Sequence, residues 1–247
     1  MIGQHGNTKG TFKCNGCGEL RATSKEHLIH QAIGAVIFRD RHIRTEDMRD
    51  RLAKDEFLSG FLRHEPGREP QGTLFDDFIE NLLCKQCNNE WANQLELMSG
   101  PNLYSFLHEG GEADGPLLRR WVWFFAIKMW WYKERTEALE WGELHPVLSK
   151  LANPETQVLS YTRVARLDAD PETWRFGWVR STLRPDIRFE FWLWGIAFFA
   201  LVQGAGLPKL PFTTMKLTNG VTTADLPTLP LAALARLPEV AHLTSTL

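Results

Sequence analysis

The chain has 247 residues, with 28 Lys+Arg against 30 Asp+Glu and a formal net charge of -2 at pH 7. Hydrophobic residues make up 43% and charged residues 23%, an ordinary globular composition with room for one large domain or two small ones. This excludes a disordered tail, a collagenous chain and a polybasic nucleic-acid coat, so any nucleic acid has to be met by a local basic surface.

The N-terminal stretch lacks the apolar run and small-residue cleavage site of a signal peptide, and a cytoplasmic protein is expected. Cys14-Asn15-Gly16-Cys17 forms a C-x-x-C knuckle, with Gly16 and Gly18 giving the turn its freedom. An acidic residue and a histidine, Glu26-His27, follow, with His30 close behind. Residues 35–79 read as an insertion that contains a helix. Thr45 would cap it, Glu46 and Asp47 would lie in its first turn, and Leu52, Phe57, Leu58, Phe61 and Leu62 recur at helical spacing. Arg39, Arg41, Arg44, Arg49, Arg51 and Lys54 are matched by as many carboxylates, which reads as a solvated face of ion pairs rather than a DNA-binding stripe. Asn81 precedes the second knuckle, Cys84-Lys85-Gln86-Cys87, and Asn88 follows it.

The glycines and proline of 110–116 suggest a boundary between residues 1–110 and 111–247. Nine of the ten Trp lie at or beyond Trp121, so the second part has an aromatic core of its own. Residues 117–138 read as a helix whose middle is apolar nearly all round and is therefore central. Lys128 interrupts it and is read as snorkelling or paired. After Pro154 the hydrophobic period becomes two. Strands are expected over 158–167, 174–183, 187–194, 196–203 and 213–218, as a small antiparallel sheet against the Trp-rich helix, giving an α+β fold. Residues 224–247 suggest a short amphipathic helix. Arg163, Arg166, Arg175, Arg180, Arg184 and Arg188, with Trp174 and Trp178, read as the polar face and core aromatics of that sheet. Phosphate binding with base stacking, or a protein partner, are the other uses open to them. The apolar stretches 121–132 and 187–207 are too short or too interrupted to span a bilayer, and no membrane association is expected.

Cys14, Cys17, Cys84 and Cys87 are the only cysteines. Paired knuckles in a reduced compartment point to tetrahedral, structural Zn²⁺. The 66 residues between the knuckles are far more than a plain zinc ribbon uses. One ion would therefore draw the Glu26-His27 segment against residues 80–91. A carboxylate beside a histidine would then face amides, a candidate site for a hard divalent cation next to a general base.

At these residues the sequence resembles the HNH endonuclease family of the cysteine-knuckle type. Cys14/Cys17, Glu26-His27, Asn81 and Cys84/Cys87-Asn88 match its spaced elements in order, over residues 14–96. The resemblance implies a zinc-clasped ββα-metal domain with a helix over 88–98. In this domain His27 is the base that activates water, and Glu26 and Asn88 hold a catalytic Mg²⁺ or Mn²⁺. Asn81 braces the loop carrying the base, and the four cysteines hold zinc away from the chemistry. It implies DNA as substrate and, from the family's usual settings, host defence or a mobile element. Three features depart from the pattern. His30 replaces a usual proline, Gly34-Ala35 replaces Gly-Gly, and the insertion is long. His30 is either an extra ligand or phosphate contact, or a satisfied structural histidine. The rival from another class is a non-catalytic zinc module recruiting nucleic acid or a protein.

Overall fold

The computed structural model describes residues 11–22, 24–27, 29–44, 47, 51, 78–133, 141–153, 162–171, 176–180, 188–201 and 213–230. The helix expected from Thr45 onward in the insertion lies outside them, apart from isolated Asp47 and Arg51.

Strands β1 (Thr11–Lys13) and β2 (Leu20–Ala22) pair antiparallel, Thr11 opposite Ala22, and the first knuckle is the loop between them. Strand β3 (Lys25–His27) pairs antiparallel with β4 (Phe78–Glu80), setting Glu26 opposite Ile79 across the whole insertion. Helix α1 (Gln31–Ile37) begins at His30, whose Nδ1 accepts the Ala32 N–H at 3.2 Å. This cap satisfies one of the amides a helix start leaves open.

The second knuckle opens a longer helical run. A single turn, Lys85–Cys87, passes into a π-helical stretch, Asn88–Ala92, and then into α2 (Asn93–His108). The helix expected to stop near Met98 thus continues through Gly100 and Pro101. The reason is tertiary. Helix α1 crosses α2 at Gly100 so closely that a Cβ there would lie 2.6 Å from the Ala32 Cβ. Burial against α1 outweighs the local helix-breaking tendency of Gly-Pro.

Helix α3 (Gly115–Lys133) is capped by Asp114, whose Oδ1 accepts the Leu117 N–H at 3.1 Å. Every residue from Trp121 to Met129 is buried, as a helix apolar on all sides requires. It touches α2, α4 (Trp141–Ala152), β4 and the main sheet. That sheet has the order β10-β5-β8-β7-β6, with β9 also on β5. Its members are β5 (Thr162–Asp168), β6 (Phe176–Arg180), β7 (Arg188–Leu193), β8 (Ile196–Leu201), β9 (Met215–Lys216) and β10 (Thr228–Pro230). All pairings are antiparallel except β10 with β5, which is parallel. The α+β class and the small, mainly antiparallel sheet are therefore as the sequence indicates.

The stretch 224–247, in which a short amphipathic helix and a loose end are expected, opens with a 3-10 turn, Thr223–Asp225, and β10. Pro227 and Pro230 remove backbone donors and hold their neighbours extended. Leu229 is buried between exposed Thr228 and Pro230, which is strand alternation. Residues 231–247 lie outside the described set.

The core is built on rings. Trp121 stacks on Phe125 at 5.1 Å, Phe191 stacks on Phe198 at 5.2 Å, and Trp121 meets Phe191 edge-on at 5.9 Å. One continuous cluster of buried residues runs from Cys14 through α3 to Leu226. The β7–β8 turn ties the sheet to α1. Trp194 (φ 50) and Gly195 (φ 72) are both left-handed, the backbone of a tight hairpin turn. Trp194 is held there by its indole N–H, which donates to the Val36 carbonyl at 2.9 Å.

Candidate metal centre and the strands beside it

The Sγ atoms of Cys14, Cys17, Cys84 and Cys87 all lie within 4.8 Å of one another and could hold a metal ion. Four thiolates about 2.3 Å from Zn²⁺ in a tetrahedron stand about 3.8 Å apart, so the cluster has the size such an ion needs. The knuckles are shaped for it. Gly18 (φ 78) turns the first back on itself, its N–H donating to the Cys14 carbonyl at 2.9 Å. Gly16 is required by space: a Cβ there would meet Cys87 Sγ at 3.1 Å.

The surrounding donors favour thiolate. Cys14 Sγ accepts the Gly16 N–H at 3.3 Å and the Cys84 N–H at 3.1 Å. A hydrogen bond from the Cys87 thiol and these amides hold Cys14 down to about 4, against the cost of burial. The same bond pushes Cys87 well up, and burial pushes Cys84 up. Anionic sulfur crowded against buried thiols is an arrangement that a cation relieves. Arg21 lies against Cys17 and ion-pairs Glu19 at the exposed edge.

Backbone bonds join the knuckles without any ion. The Asn15 N–H and Nδ2 both donate to the Leu82 carbonyl, at 3.2 and 3.0 Å. The Ser24 hydroxyl donates to the Leu83 carbonyl, and the Asn81 N–H donates to the Ser24 carbonyl at 3.2 Å. On the far side, His145 of α4 bonds through Nδ1 to the Asn15 carbonyl at 3.0 Å.

These bonds hold Ser24, just before β3, and Asn15 of the first knuckle against residues 81–83, just ahead of the second. His27 is exposed at the end of β3. Glu26 occupies the middle of that strand, opposite Ile79. Asn81 ends β4 in the left-handed region (φ 63), which asparagine tolerates better than most residues, and its Oδ1 is buried with no partner. Asn88 is half-buried and opens the π-helical stretch, its N–H bonded to the Cys84 carbonyl at 2.9 Å. Such π segments occur often at functional positions.

His30 is satisfied at both ring nitrogens: Nδ1 caps α1, and Nε2 bonds Asn93 Oδ1 at 3.0 Å. Lys128 is paired rather than snorkelling. Its Nζ, wholly buried, donates to Glu96 Oε1 at 2.9 Å and lies 5.2 Å from the Phe124 ring centre. Burial raises the Glu96 carboxyl, while Lys128 and, more weakly, the nearby His27 oppose that rise. The lone lysine in an apolar helix signals a buried partner, but Glu96 is 32 residues away in sequence and looks like any helix-surface carboxylate. On the sheet, Arg163 bonds Thr214 and Arg166 bonds Thr228 at 3.2 Å, so both brace neighbouring segments. No described helix is long and apolar enough to cross a membrane. No family model matches the sequence, and neither a curated protein nor a solved structure matches it.

Proposed function

We propose that the chain is a zinc-stabilised, metal-dependent endonuclease of the HNH type that hydrolyses phosphodiester bonds of DNA. The observation that supports this best is the ββα order around the thiol cluster. Strand β3 with Glu26-His27 pairs across the insertion with β4, Asn81 follows β4 directly, and Asn88 lies in the helical run that the second knuckle opens.

In this reading the four cysteines hold Zn²⁺ and take no part in the reaction, since an all-cysteine site has no open position. Glu26 and Asn88 would hold a divalent cation, which supplies charge stabilisation at the scissile phosphate and the leaving oxygen. One carboxylate and one amide oxygen leave room for water and phosphate oxygens, as Mg²⁺ prefers. His27 takes the proton of the attacking water. Histidine is the side chain most often used for such a proton transfer, and an exposed one reaches a bulky substrate.

The test is plasmid cleavage by purified protein in Mg²⁺, Mn²⁺ and Zn²⁺, with His27→Ala beside wild type. The variant should keep zinc and thermal stability while cleavage falls on the order of 10²–10⁴-fold. Equal rates would remove His27 from the reaction. Zinc-loaded wild type that binds DNA without cutting it under any of these ions would mean a binding module instead.

A further inference from the structure

Beside the strands that carry Glu26 and His27, α1 and α2 leave a groove of about 430 Å³. Its floor is the close crossing of Gly100 on Ala32. Its walls include His30, Gln31, Arg41, Leu97, Pro101 and Tyr104. Asn93, Leu97, Pro101 and Tyr104 recur at helical spacing along one face of α2. From Asn93 to Tyr104 that stripe is about 16 Å long at 1.5 Å per residue. It starts at the His30–Asn93 bond, three residues past His27 and five past Asn88. The groove therefore leads away from the candidate site.

Its surface combines two characters. Leu97 is half exposed and Met98, next to it, is more so. Both leave apolar surface in water close to cations. Arg41 and Tyr104 on its wall end a series of cation and ring contacts that runs back through His108 and the buried Trp194 to Arg39. Arg39 lies 5.8 Å from the Trp194 ring centre, Trp194 meets His108 at 4.9 Å, His108 meets Tyr104 at 4.9 Å, and Arg41 lies 4.7 Å from the Tyr104 ring. Arg39, Arg41 and Arg44 are all exposed. Of the nearby carboxylates, Asp40 is engaged by Arg51 at 2.9 Å and Glu109 by Arg41 at 2.5 Å. Glu109 thereby helps to hold the Arg41 guanidinium over the tyrosine.

Apolar walls with a cationic rim suit a ligand that is flat and apolar on its faces and anionic at its linkers. That is a nucleic-acid strand with a base out of its stack. A folded protein partner would need a broader apolar face, and a duplex offers no unstacked base to a narrow groove. We infer that this groove seats an unpaired base of the strand being cut, with Arg41 on a flanking phosphate. The inference deepens the nuclease reading and rests on it for the identity of the ligand.

The test uses full-length, zinc-loaded His27→Ala protein without Mg²⁺ or Mn²⁺, so that nothing is cut. The probe is a fluorescently labelled short oligothymidylate, read by anisotropy against an abasic oligomer of the same length. The oligothymidylate should bind roughly 10-fold more tightly, within the range that base stacking supplies. Leu97→Glu should weaken it by about 10-fold or more, whereas Leu97→Lys should not, because only the first repels phosphate. Arg41→Ala should weaken it several-fold and lower the slope of log affinity against log salt by about 0.7, one phosphate contact on a single strand. Leu97 and Arg41 are exposed, and zinc content with circular dichroism checks that each variant is folded.

Equal affinity for the abasic oligomer, or unchanged binding in both Leu97→Glu and Arg41→Ala, would overturn the proposal. So would a preference for blunt duplex that the oligothymidylate cannot compete away. Plasmid cleavage by the otherwise wild-type protein separates the two readings. Cutting with a groove indifferent to these variants removes the groove alone. Variant-sensitive binding with no cutting removes the nuclease alone.

Discussion

The cysteine clasp and the aromatic half of the molecule are held together by different means. The clasp consists of two-stranded ribbons with three residues a side, β1–β2 and β3–β4, which have no independent stability in water. Its order comes from four thiols, a few backbone bonds between the knuckles and contact with α4 through His145. The α3–sheet half closes on buried rings, each removing a large apolar surface from water. The first arrangement has four thiols that could hold an ion, shares buried Cys14, Leu82 and Leu83 with the common core, and leaves His27 exposed and Asn88 half-buried. The second needs no ion and forms the support against which the first is held. Among the described residues, the buried ion pair Glu96–Lys128 joins α2, which follows the second knuckle, to α3.

The widest separation of the two halves should follow metal removal. One Zn²⁺ per chain is expected from metal analysis. Structural zinc in small peptides contributes about 10–16 kcal/mol of apparent binding, and that energy is folding energy. Chelation, or Cys84→Ser, should therefore abolish hydrogen-exchange protection around residues 14–22 and 81–88 while α3 and the sheet keep theirs. A clasp equally protected without metal would show that the thiols do not need an ion.

The converse experiment empties the aromatic half. Phe125→Ala or Phe198→Ala should cost about 3–5 kcal/mol in denaturant unfolding, since each leaves a cavity among close-packed rings. Zinc stoichiometry in the folded protein should stay at one. Loss of zinc at a denaturant concentration where the sheet is still intact would mean that the halves support each other more than this comparison allows.

The junction gives the sharpest sign. Glu96→Ala leaves the Lys128 ammonium buried without its carboxylate and should destabilise by about 3–5 kcal/mol. Glu96→Leu combined with Lys128→Met replaces both charges with apolar bulk. It should fall between neutral and about 4 kcal/mol more stable, because both desolvation penalties vanish together. Equal destabilisation in the two proteins would mean that the pair contributes more than charge compensation. If the double variant is stable but cleaves slowly, the buried carboxylate matters to His27 rather than to folding.

The smallest effect belongs to the turn after β9. Asp225 accepts from the Thr222 N–H and hydroxyl at 2.9 and 2.8 Å, which holds its carboxyl below the usual aspartate range. A carboxyl lowered on folding contributes stability above its ordinary pKa, near 3.9, and loses it as pH falls through the lowered value. Asp225→Asn should therefore lower neutral stability slightly, leave acid stability almost unchanged, and so flatten the acid limb of the stability curve. A steeper acid limb would contradict the sign. Because the turn is fully exposed, the change should be the least of the four.

The C-x-x-C spacing determined by itself that the two thiols of each pair can face one point, because two residues on a tight turn leave little other geometry. The sequence also determined that α3 would be central, because an apolar run on every face of a helix has no solvent side to offer. Alternation likewise marked β5, β7 and β8. Each of these follows from the local period of the backbone, which a short window contains. Tertiary structure alone decided the rest. The pairing of β3 with β4 spans a long insertion, and no local signal chooses its register. The choice of Glu96 for Lys128 depends on which helix faces meet. The continuation of α2 past Gly100-Pro101 depends on α1 lying against it, and β10 became a strand because β5 offered it an edge. Trp194 holds a left-handed turn because the Val36 carbonyl is within reach of its indole. In all of these the deciding energy is the burial or pairing of groups distant in sequence, which exists only once the surfaces have met.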